Sequence, residues 1–474
     1  MKARKGFNRT PRCKPAGATG LVNADLLQRA IAWVVRDDIF ANISMHGNVT
    51  WVASQLVTLA ILWVWSASSQ LTGAFLEAKQ LSSAMFGCVA LSSYQGLVKA
   101  LSRYTEQLRP LLWARLHQLM ESSGQSHWRI GGWLPLAIDG SRVSTPRSKS
   151  NEDAFAAPGY GHSAKARSRA RWKNKLRRSK PISHPVKPQI WLTLLWHMGL
   201  KLPWSWRCGP STSSERNHLL EMLEQQQLPA KTLICGDAGF VGYELWQGIL
   251  KAGHSFVIRV GSNVRLLREL GFARRGLDLV HLWPEKMARN KQPPIVLRLL
   301  EIQSARGSVF LVTNILSDRE LSLSQASQLY RLRWGVELQF RTLKQTFGRG
   351  TLRSRTAAAA LVELEWSLFG LWMVQLFAVK EQIAIDSTPD RCSVGIAIAV
   401  IRHAMRAWNQ GASSARQLTR ELRHAVKDSY RRKRSKQARY RPDSKDKPSA
   451  GPPIIMKATN RQRAAFENMQ NMAA

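Results

Sequence analysis

Short apolar runs alternate with helical segments between Trp133 and Ile315, and this alternation limits the folds open to the chain. The apolar runs are typical of buried strands, and apolar residues three or four apart are typical of helices. The predicted elements are, in order, strands at 133–138, 189–197 and 200–206, a helix at 211–225, a strand at 232–235, a helix at 241–251 and a strand at 255–260. This order predicts an α/β fold, a mixed sheet flanked by helices.

Residues 261–306 break the alternation, because they are basic and contain three prolines, and they predict an insertion in the α/β domain with one strand near 295–302. The segments before and after the sheet carry apolar residues at helical spacing, and both ends of the chain are basic and polar. The predicted organisation is a disordered basic segment at 1–22, a helical DNA-binding domain at 23–125, an α/β domain at 130–350 with its insertion at about 261–306, a helical region at 351–425 and a basic disordered tail at 426–474.

The charge of the chain predicts a polyanionic partner. It has 70 Lys and Arg against 31 Asp and Glu, which gives a formal net charge of +39. Within 165–187 there are ten basic residues and no acid, and Trp172 lies among them. A solvated loop is one interpretation, but basic residues with an interleaved aromatic favour contact with nucleic-acid phosphates. The predicted DNA contacts in this loop are Arg167, Arg169, Arg171 and Lys173.

Two other classes of protein are disfavoured by the sequence. The five cysteines include no pair separated by two residues, so a zinc knuckle or a disulfide scaffold is not expected. The apolar runs Trp51–Trp65 and Trp366–Val379 are interrupted by polar residues and fall short of the roughly 20 residues that span a bilayer. We therefore expect buried helices, no membrane partner and a cytoplasmic, nucleoid-associated protein.

A polar stripe marks the helix predicted from Ser322 to about Phe347. At 100° per residue, Tyr330, Arg333, Glu337, Arg341 and Lys344 fall on one stripe about 80° wide, and the apolar residues form a second stripe. Ion pairs between residues four apart explain Glu337 with its two arginines. They do not require a phenol and a lysine on the same stripe.

Two aspartates follow predicted strands, Asp139 in Asp-Gly-Ser and Asp237 in Asp-Ala-Gly-Phe. Taken singly, each is more simply interpreted as a turn residue. Together with Glu337 they predict carboxylates that converge at one edge of the sheet, where oxygen ligands suit Mg²⁺. Two such ions about 4 Å apart can assist displacement at phosphorus. Carboxylates alone do not distinguish Mg²⁺ from Mn²⁺.

These residues resemble a known signature. Tyr330, two residues, Arg333, three residues, Glu337, six residues and Lys344 is similar to the signature of transposases of the insertion-sequence-4 family. The two aspartate motifs resemble the family's first and second acidic motifs. The resemblance covers about residues 130–350. It implies a ribonuclease H-like core with a β-rich insertion between Asp237 and Glu337.

The resemblance also implies residue roles. Asp139, Asp237 and Glu337 would bind the metal ions, and Arg333 and Lys344 would contact phosphates beside Tyr330. Arg341, on the same stripe, is predicted to contact DNA as well. Relatives hold a flipped base with a tryptophan of the insertion. Trp283 is the candidate, because no other tryptophan lies between Trp246 and Trp334.

The implied reaction has two steps on double-stranded DNA. Water hydrolyses a phosphodiester at the element's end, and the freed 3′-OH then attacks a phosphodiester of target DNA. No P-loop motif is present, so no nucleotide cofactor is expected. Family members act as homodimers on paired ends. Two alternatives remain at this point, a ribonuclease H-like nuclease that cuts without joining and a non-catalytic DNA-binding protein derived from a transposase.

Overall fold

The chain divides into two compact units in the computed structural model. The residues that the structure describes are 26–46, 49–87, 91–156, 188–270, 278–304, 307–409, 417–428 and 451–473. The helical unit contains the described residues of Met1–Ser123, Thr145–Asp153 and Thr342–Lys427. The sheet unit contains those of Gly124–Ser144, Ala154–Arg341 and Asp428–Ala474. The N-terminal helices and the helical region at 351–425, which the sequence presents as separate regions, thus belong to one unit.

The helices are numbered along the chain. They are α1 (Leu26–Val34), α2 (Ala53–Trp65), α3 (Leu71–Phe86), α4 (Tyr94–Ser123), α5 (Gln125–Trp128), α6 (Lys149–Phe155), α7 (Glu215–Gln225), α8 (Tyr243–Lys251), α9 (Glu285–Arg289), α10 (Leu323–Arg333), α11 (Gly335–Arg341), α12 (Ala357–Ile383), α13 (Val394–Asn409), α14 (Leu418–Arg423) and α15 (Asn460–Ala473). Short 3₁₀ turns lie at Asp37–Phe40 and Pro389–Arg391, and a π-helical turn lies at Thr342–Thr346.

The strands form one sheet in the sheet unit. They are β1 (Leu134–Ser144), β2 (Gln189–His197), β3 (Leu202–Gly209), β4 (Thr232–Gly236), β5 (Ser255–Val260), β6 (Arg265–Arg268), β7 (Leu279–Leu282), β8 (Ile295–Ser304), β9 (Gly307–Thr313) and β10 (Ile454–Lys457). Their order across the sheet is β10-β6-β7-β8-β9-β5-β4-β1-β2-β3. The mixed α/β class predicted from the sequence is confirmed.

The centre of the sheet is parallel and fully covered. Strands β1, β4 and β5 pair in parallel, whereas β2, β3 and β9 run antiparallel to their neighbours. Every residue of β4 is buried, and so are the first five residues of β1. Parallel strands that are covered on both faces consist of continuous runs of apolar residues. These strands could therefore be predicted from the sequence.

Helix α12 is the core of the helical unit, where it packs against α2, α4, α13 and α14. It is long and apolar enough to span a bilayer, but 83% of its apolar window is buried inside the protein. Its Glu363 is fully buried and accepts hydrogen bonds from the backbone N–H groups of Arg353 and Ser354 at 3.0 and 2.9 Å. A buried acid with such partners is a feature of a protein core, as the sequence predicts for this segment.

The end of the chain differs from the expected disordered tail. Strand β10 pairs in parallel with β6, and α15 packs Phe466 against Trp283 with ring centroids 6.3 Å apart. These contacts belong to a small core that also includes Leu267 and Leu270. This segment is ordered for two physical reasons. Without β10, one edge of β6 would expose unpaired backbone groups, and the apolar residues of α15 bury themselves against the small core.

Candidate active site

The pairing of β1 with β4 sets the positions of the two aspartates. The last parallel pair between these strands is Ala137 with Cys235. Asp139 and Asp237 each lie two residues beyond that pair, so the continued register places them side by side. Neighbouring strands are about 4.8 Å apart. The sequence predicts that this strand ends just before Asp139. In the structure β1 continues through Asp139 to Ser144, because it pairs with β2 over this length.

Small residues after each aspartate allow its carboxylate to accept a local backbone hydrogen bond. The Oδ1 atom of Asp139 accepts from the N–H of Gly140 at 2.8 Å. The Oδ1 atom of Asp237 accepts from the N–H of Gly239 at 2.7 Å, in a turn closed by Phe240. These bonds orient one oxygen of each carboxylate and leave the second oxygen available to other partners.

Glu337 comes from a helix that is broken where the sequence predicts continuity. Helix α10 begins with a capping box between Ser322 and Gln325 and ends at Arg333, and α11 starts at Gly335. Gly335, at this break, packs closely against Trp196 of β2, and a Cβ at position 335 would overlap the buried indole ring. Helix α10 packs against β1 and β4, and α11 packs against β1, so Glu337 is carried to the edge that holds the aspartates.

Arg333 is the buried cation of this group. Its side chain is 10% exposed, its Nη2 atom lies 3.2 Å from Oε1 of Glu337, and its guanidinium lies 5.6 Å from the ring centroid of Tyr330. Burial lowers its pKa, but Tyr330, Asp237, Asp139 and Glu337 outweigh that effect and raise it. Its Nε and Nη1 atoms are buried and have no hydrogen-bond partner among the described residues. Buried donors of this kind suit an anionic ligand.

A fourth carboxylate lies in the site, and sequence reasoning missed it. Glu215 is the first residue of α7, and its side chain packs directly over Gly140. A Cβ at position 140 would lie 2.5 Å from Oε1 and 2.6 Å from Cδ of Glu215, so only glycine leaves room for this carboxylate. In the sequence, Glu215 is visible only as an acid in the first turn of a predicted helix. Its favourable interaction with the helix dipole explains such an acid without any role in a site.

The carboxylates repel one another in a partly buried setting. Burial and the neighbouring Asp237 raise the pKa of Asp139 to about 6, although the hydrogen bond from Gly140 and the charge of Arg333 oppose the rise. Burial and the charges of Asp139 and Asp237 raise the pKa of Glu215 to about 7. The site therefore holds more negative charge than Arg333 neutralises, and it favours a bound cation.

The donor set fits divalent cations that prefer oxygen, because its members are carboxylates. In the described part of the chain, no three His, Cys, Asp or Glu side chains are grouped closely enough to hold one ion alone. Mg²⁺ is usually bound through one or two carboxylates and keeps several waters or phosphate oxygens as its other ligands.

The other predicted site residues are distributed differently. Tyr330 joins the group around Arg333, and burial raises its pKa. Arg341 is exposed and lies 5.9 Å from the ring centroid of Trp334. Lys344 belongs to the helical unit, on the π-helical turn, and burial lowers its pKa. Arg167, Arg169, Arg171 and Lys173 lie outside the described residues.

Trp283 has a packing role in this structure rather than an exposed position. It is 4% exposed, and its Nε1 donates to the carbonyl of Gln292 at 2.8 Å. Its ring packs against Phe466 of α15. The expectation that Trp283 holds a flipped base is therefore not supported by its surroundings, because a fully packed ring has no free face for a base.

We expect a Gly335→Ala substitution to destabilise the protein by about 1–3 kcal/mol, because the added methyl group overlaps a buried ring. Trp196→Leu in the same chain should recover part of that loss, which denaturant unfolding of the four members of a double-mutant cycle measures. Gly395→Ala is the matched control, since its nearest neighbour would be Cγ2 of Thr346 at 3.9 Å. Equal stability of Gly335→Ala and the wild type would contradict the packing argument.

The metal-free protein should lose stability relative to Glu215→Gln as the pH rises. The folded pKa of Glu215, about 7, lies above its ordinary value, so the folded state binds the extra proton and the cost of ionisation appears as pH rises through this range. At pH 5 the two proteins should unfold alike. At pH 8 the variant should be more stable than the wild type by about 1 kcal/mol, a value kept small because the Glu215 side chain is only partly buried.

Thermal unfolding in the presence of a chelator, at both pH values, measures this difference. Glu224→Gln is the control, because Glu224 is an exposed acid of the same helix. If the stability difference between the wild type and Glu215→Gln is the same at both pH values, the folded protein does not raise the pKa of Glu215.

Comparison with known proteins assigns the family. Residues 134–373 match the family model described as the transposase DDE domain. The chain is 27% identical over 310 residues to "Transposase InsG for insertion sequence element IS4" of Escherichia coli (strain K12), which covers 62% of this chain and 64% of that protein. The match therefore spans less than two thirds of the length of this curated relative.

One solved structure among the matches is also a transposase. It is the piggyBac transposase synaptic complex with hairpin DNA, with 13% sequence identity, 88% of each chain covered and a TM-score of 0.41. The family model covers half of the chain and includes Asp139, Asp237 and Glu337. The chain therefore belongs to the family of transposases with a DDE domain.

Proposed function

We propose that this chain is the transposase of an insertion sequence, which binds the element's terminal inverted repeats, cleaves DNA at the ends and joins the freed 3′-OH to target DNA. The observation that supports the proposal is the register of β1 and β4, whose last parallel pair, Ala137 with Cys235, lies two residues before Asp139 and Asp237. Family membership supports the general function, and the charge of +39 supports DNA as the substrate.

The core of the sheet unit is proposed to be ribonuclease H-like. Support comes from the strand order β3-β2-β1-β4-β5, with β1, β4 and β5 parallel and β2 and β3 forming an antiparallel hairpin. Strands β6, β7 and β8 then form the predicted β-rich insertion. They continue the same sheet beyond β9.

Asp139, Asp237 and Glu337 are the proposed ligands of two Mg²⁺ ions, with Mn²⁺ as a substitute. When bound, these ions would lower the pKa of the attacking water or hydroxyl and stabilise the leaving oxygen. The raised pKa of Asp139, caused by burial and by the neighbouring Asp237, supports this role, because a bound cation would stabilise its charged form.

The chain's own cations are proposed to hold the DNA backbone. The unpaired Nε and Nη1 donors of Arg333 are suited to a phosphate oxygen at the carboxylates, and Tyr330 keeps the guanidinium in place from one side. Arg341 and Lys344 are proposed as further phosphate contacts. These contacts attract an anionic strand that the acids alone would repel.

The proposed steps balance without a nucleotide cofactor. In the first step, water forms a bond to phosphorus and the P–O3′ bond breaks, which gives a 3′-OH and a 5′-phosphate. In the second step, that 3′-OH forms a bond to a target phosphorus and one P–O3′ bond breaks. One phosphodiester is exchanged for another, so no external energy source is needed. We place this activity in the cytoplasm, in association with the nucleoid, and in a homodimer on paired ends.

Replacement of Glu337 by Gln should abolish strand cleavage while largely sparing DNA binding. The substitution removes a carboxylate charge but no cation, and Gln retains an oxygen that accepts from Arg333. We expect cleavage to fall about 1000-fold and the Kd for element ends to change less than about twofold. The assay uses labelled DNA flanking the chain's own gene, a plasmid target and Mg²⁺.

The wild type and Glu224→Gln, an exposed acid on α7, are the controls. Joined products that depend on Glu337 support a transposase. Cleavage without joining would contradict the proposed second step and indicate a nuclease. Loss of folding and of binding in Glu337→Gln would indicate that Glu337 serves only to stabilise its helix.

Neutral replacements at Arg167, Arg169 and Arg171 should weaken DNA binding and flatten its salt dependence. If all three contact phosphates, the slope of log K against log salt should become less steep by about 2.7. The measurement is fluorescence anisotropy with a labelled duplex over a range of salt concentrations. Neutralising Arg289, an exposed arginine paired with Glu285, is the control for general loss of charge. An unchanged slope would remove the loop from the interface.

A further inference from the structure

The turn that carries Asp237 is held by side chains from three other parts of the sheet unit. The three backbone carbonyls that follow Asp237 each accept a side-chain hydrogen bond. These bonds run from Asn263 Nδ2 to Ala238 at 3.0 Å, from Arg216 Nε to Gly239 at 2.7 Å and from Trp246 Nε1 to Phe240 at 2.9 Å. Most carbonyls in proteins are paired with backbone N–H groups. This turn therefore depends on side chains in a way that the neighbouring strands do not.

Two of these three donors have no packing reason for their positions. Trp246 is fully buried on α8 and stacks on Phe256, so core packing explains where it lies. Arg216 and Asn263 are exposed. Arg216 is the second residue of α7, and Asn263 lies in the turn between β5 and β6, where the chain enters the insertion. Two elements far apart in the sequence thus converge on the turn that follows β4.

Two peptide groups connect these exposed donors to Asp237. The N–H of Gly239 donates to Oδ1 of Asp237 at 2.7 Å, and the N–H of Phe240 donates to the Asp237 carbonyl at 3.1 Å. Each N–H shares a planar peptide with a carbonyl that a side chain holds, Ala238 for the first and Gly239 for the second. Because the C=O and N–H of one planar peptide move together, a donor that fixes the oxygen also fixes the direction of the N–H.

Asp237 needs such support more than Asp139 does. Asp139 lies within β1, where the ladder with β2 fixes its backbone on both sides. Asp237 lies beyond Gly236, the last residue of β4 that pairs with β5. A Cβ at position 239 would lie 2.9 Å from Oδ1 of Asp237, so glycine is what allows its N–H to approach the carboxylate this closely.

We propose that Arg216 and Asn263 are positioning residues for the metal site. By holding the two peptide groups after Asp237, they orient its carboxylate for metal binding. This inference rests on the proposed function, in which Asp237 is a metal ligand, and it adds two residues that act through the turn rather than on the reacting atoms. Partners of this kind orient a ligand before the metal arrives, and their loss weakens metal binding.

The test measures Mn²⁺ binding to the full chain from the loss of the free-ion electron paramagnetic resonance signal. The binding that belongs to the site is the part that Asp237→Asn loses. Arg216→Met and Asn263→Ala should each weaken that binding about tenfold, and Arg216→Lys, which keeps a donor, should recover part of it. Thermal unfolding with a chelator should change little, because both hydrogen bonds are exposed to solvent.

The Mg²⁺ dependence of DNA cleavage gives a second measurement. In Arg216→Met and Asn263→Ala, the Mg²⁺ concentration for half-maximal cleavage should rise about tenfold. The cleavage rate at saturating Mg²⁺ should stay within about twofold of the wild-type rate, because the ligands themselves are intact.

Arg129→Met is the matched control, since Arg129 is an exposed arginine that donates to the carbonyl of Ala230 at 3.2 Å, at the other end of β4. Wild-type Mn²⁺ affinity and Mg²⁺ dependence in both Arg216→Met and Asn263→Ala would overturn this inference and leave the proposed function standing. Weaker DNA binding by Arg216→Met with unchanged Mn²⁺ affinity would also overturn it, in favour of a phosphate contact. A wild type that neither binds Mn²⁺ nor cleaves the ends would overturn the proposed function, and this inference with it.

Discussion

The parallel ladder between β1 and β4 is the constraint on which the site depends. The ladder ends at Ala137 and Cys235, and each strand supplies an aspartate two residues later. Asp139 remains in a strand because β1 continues along β2, whereas Asp237 enters a turn. One aspartate is therefore held by a sheet and the other by a short loop. A one-residue slip of register would point one of them to the opposite face.

The acids that this ladder brings together carry an electrostatic cost. Asp139 and Glu215 both have raised pKa values, and burial is the largest cause for each. Arg333 lies among Asp139, Asp237 and Glu337, and Arg216 and Arg142 act on Glu215. Two like charges 4 Å apart repel by about 4 kcal/mol at an effective dielectric constant of 20. The pKa values of Asp139 and Glu215 are raised despite these cations, and a bound divalent cation would offset the repulsion between the acids.

Much of the sheet could be predicted from the sequence, because buried parallel strands leave an apolar signature. The strand at 255–260 was found with its observed bounds, and Asp237 was placed directly after β4. Glu215 could not be assigned, since its proximity to Asp139 depends on the packing of α7 over Gly140. The strand and helix after residue 451 were missed because neither has a core of its own. Each is stabilised by the insertion it packs against.

The signature helix shows where periodicity succeeds and where it fails. Arg333 and Glu337 remain four residues apart in helical geometry across the break, with 3.2 Å between Nη2 and Oε1, so the predicted stripe holds that far. After Arg341 the backbone bonds change to five residues apart, as from Phe347 N–H to the Thr342 carbonyl. A π-helical turn rotates side chains less per residue than an α-helix. The rotation of 100° per residue by which the sequence pattern places Lys344 on the stripe therefore does not apply after Arg341. The break between α10 and α11 lies at a tertiary contact, that of Gly335 with Trp196. The spacing of residues along one helix does not predict a contact with a distant strand.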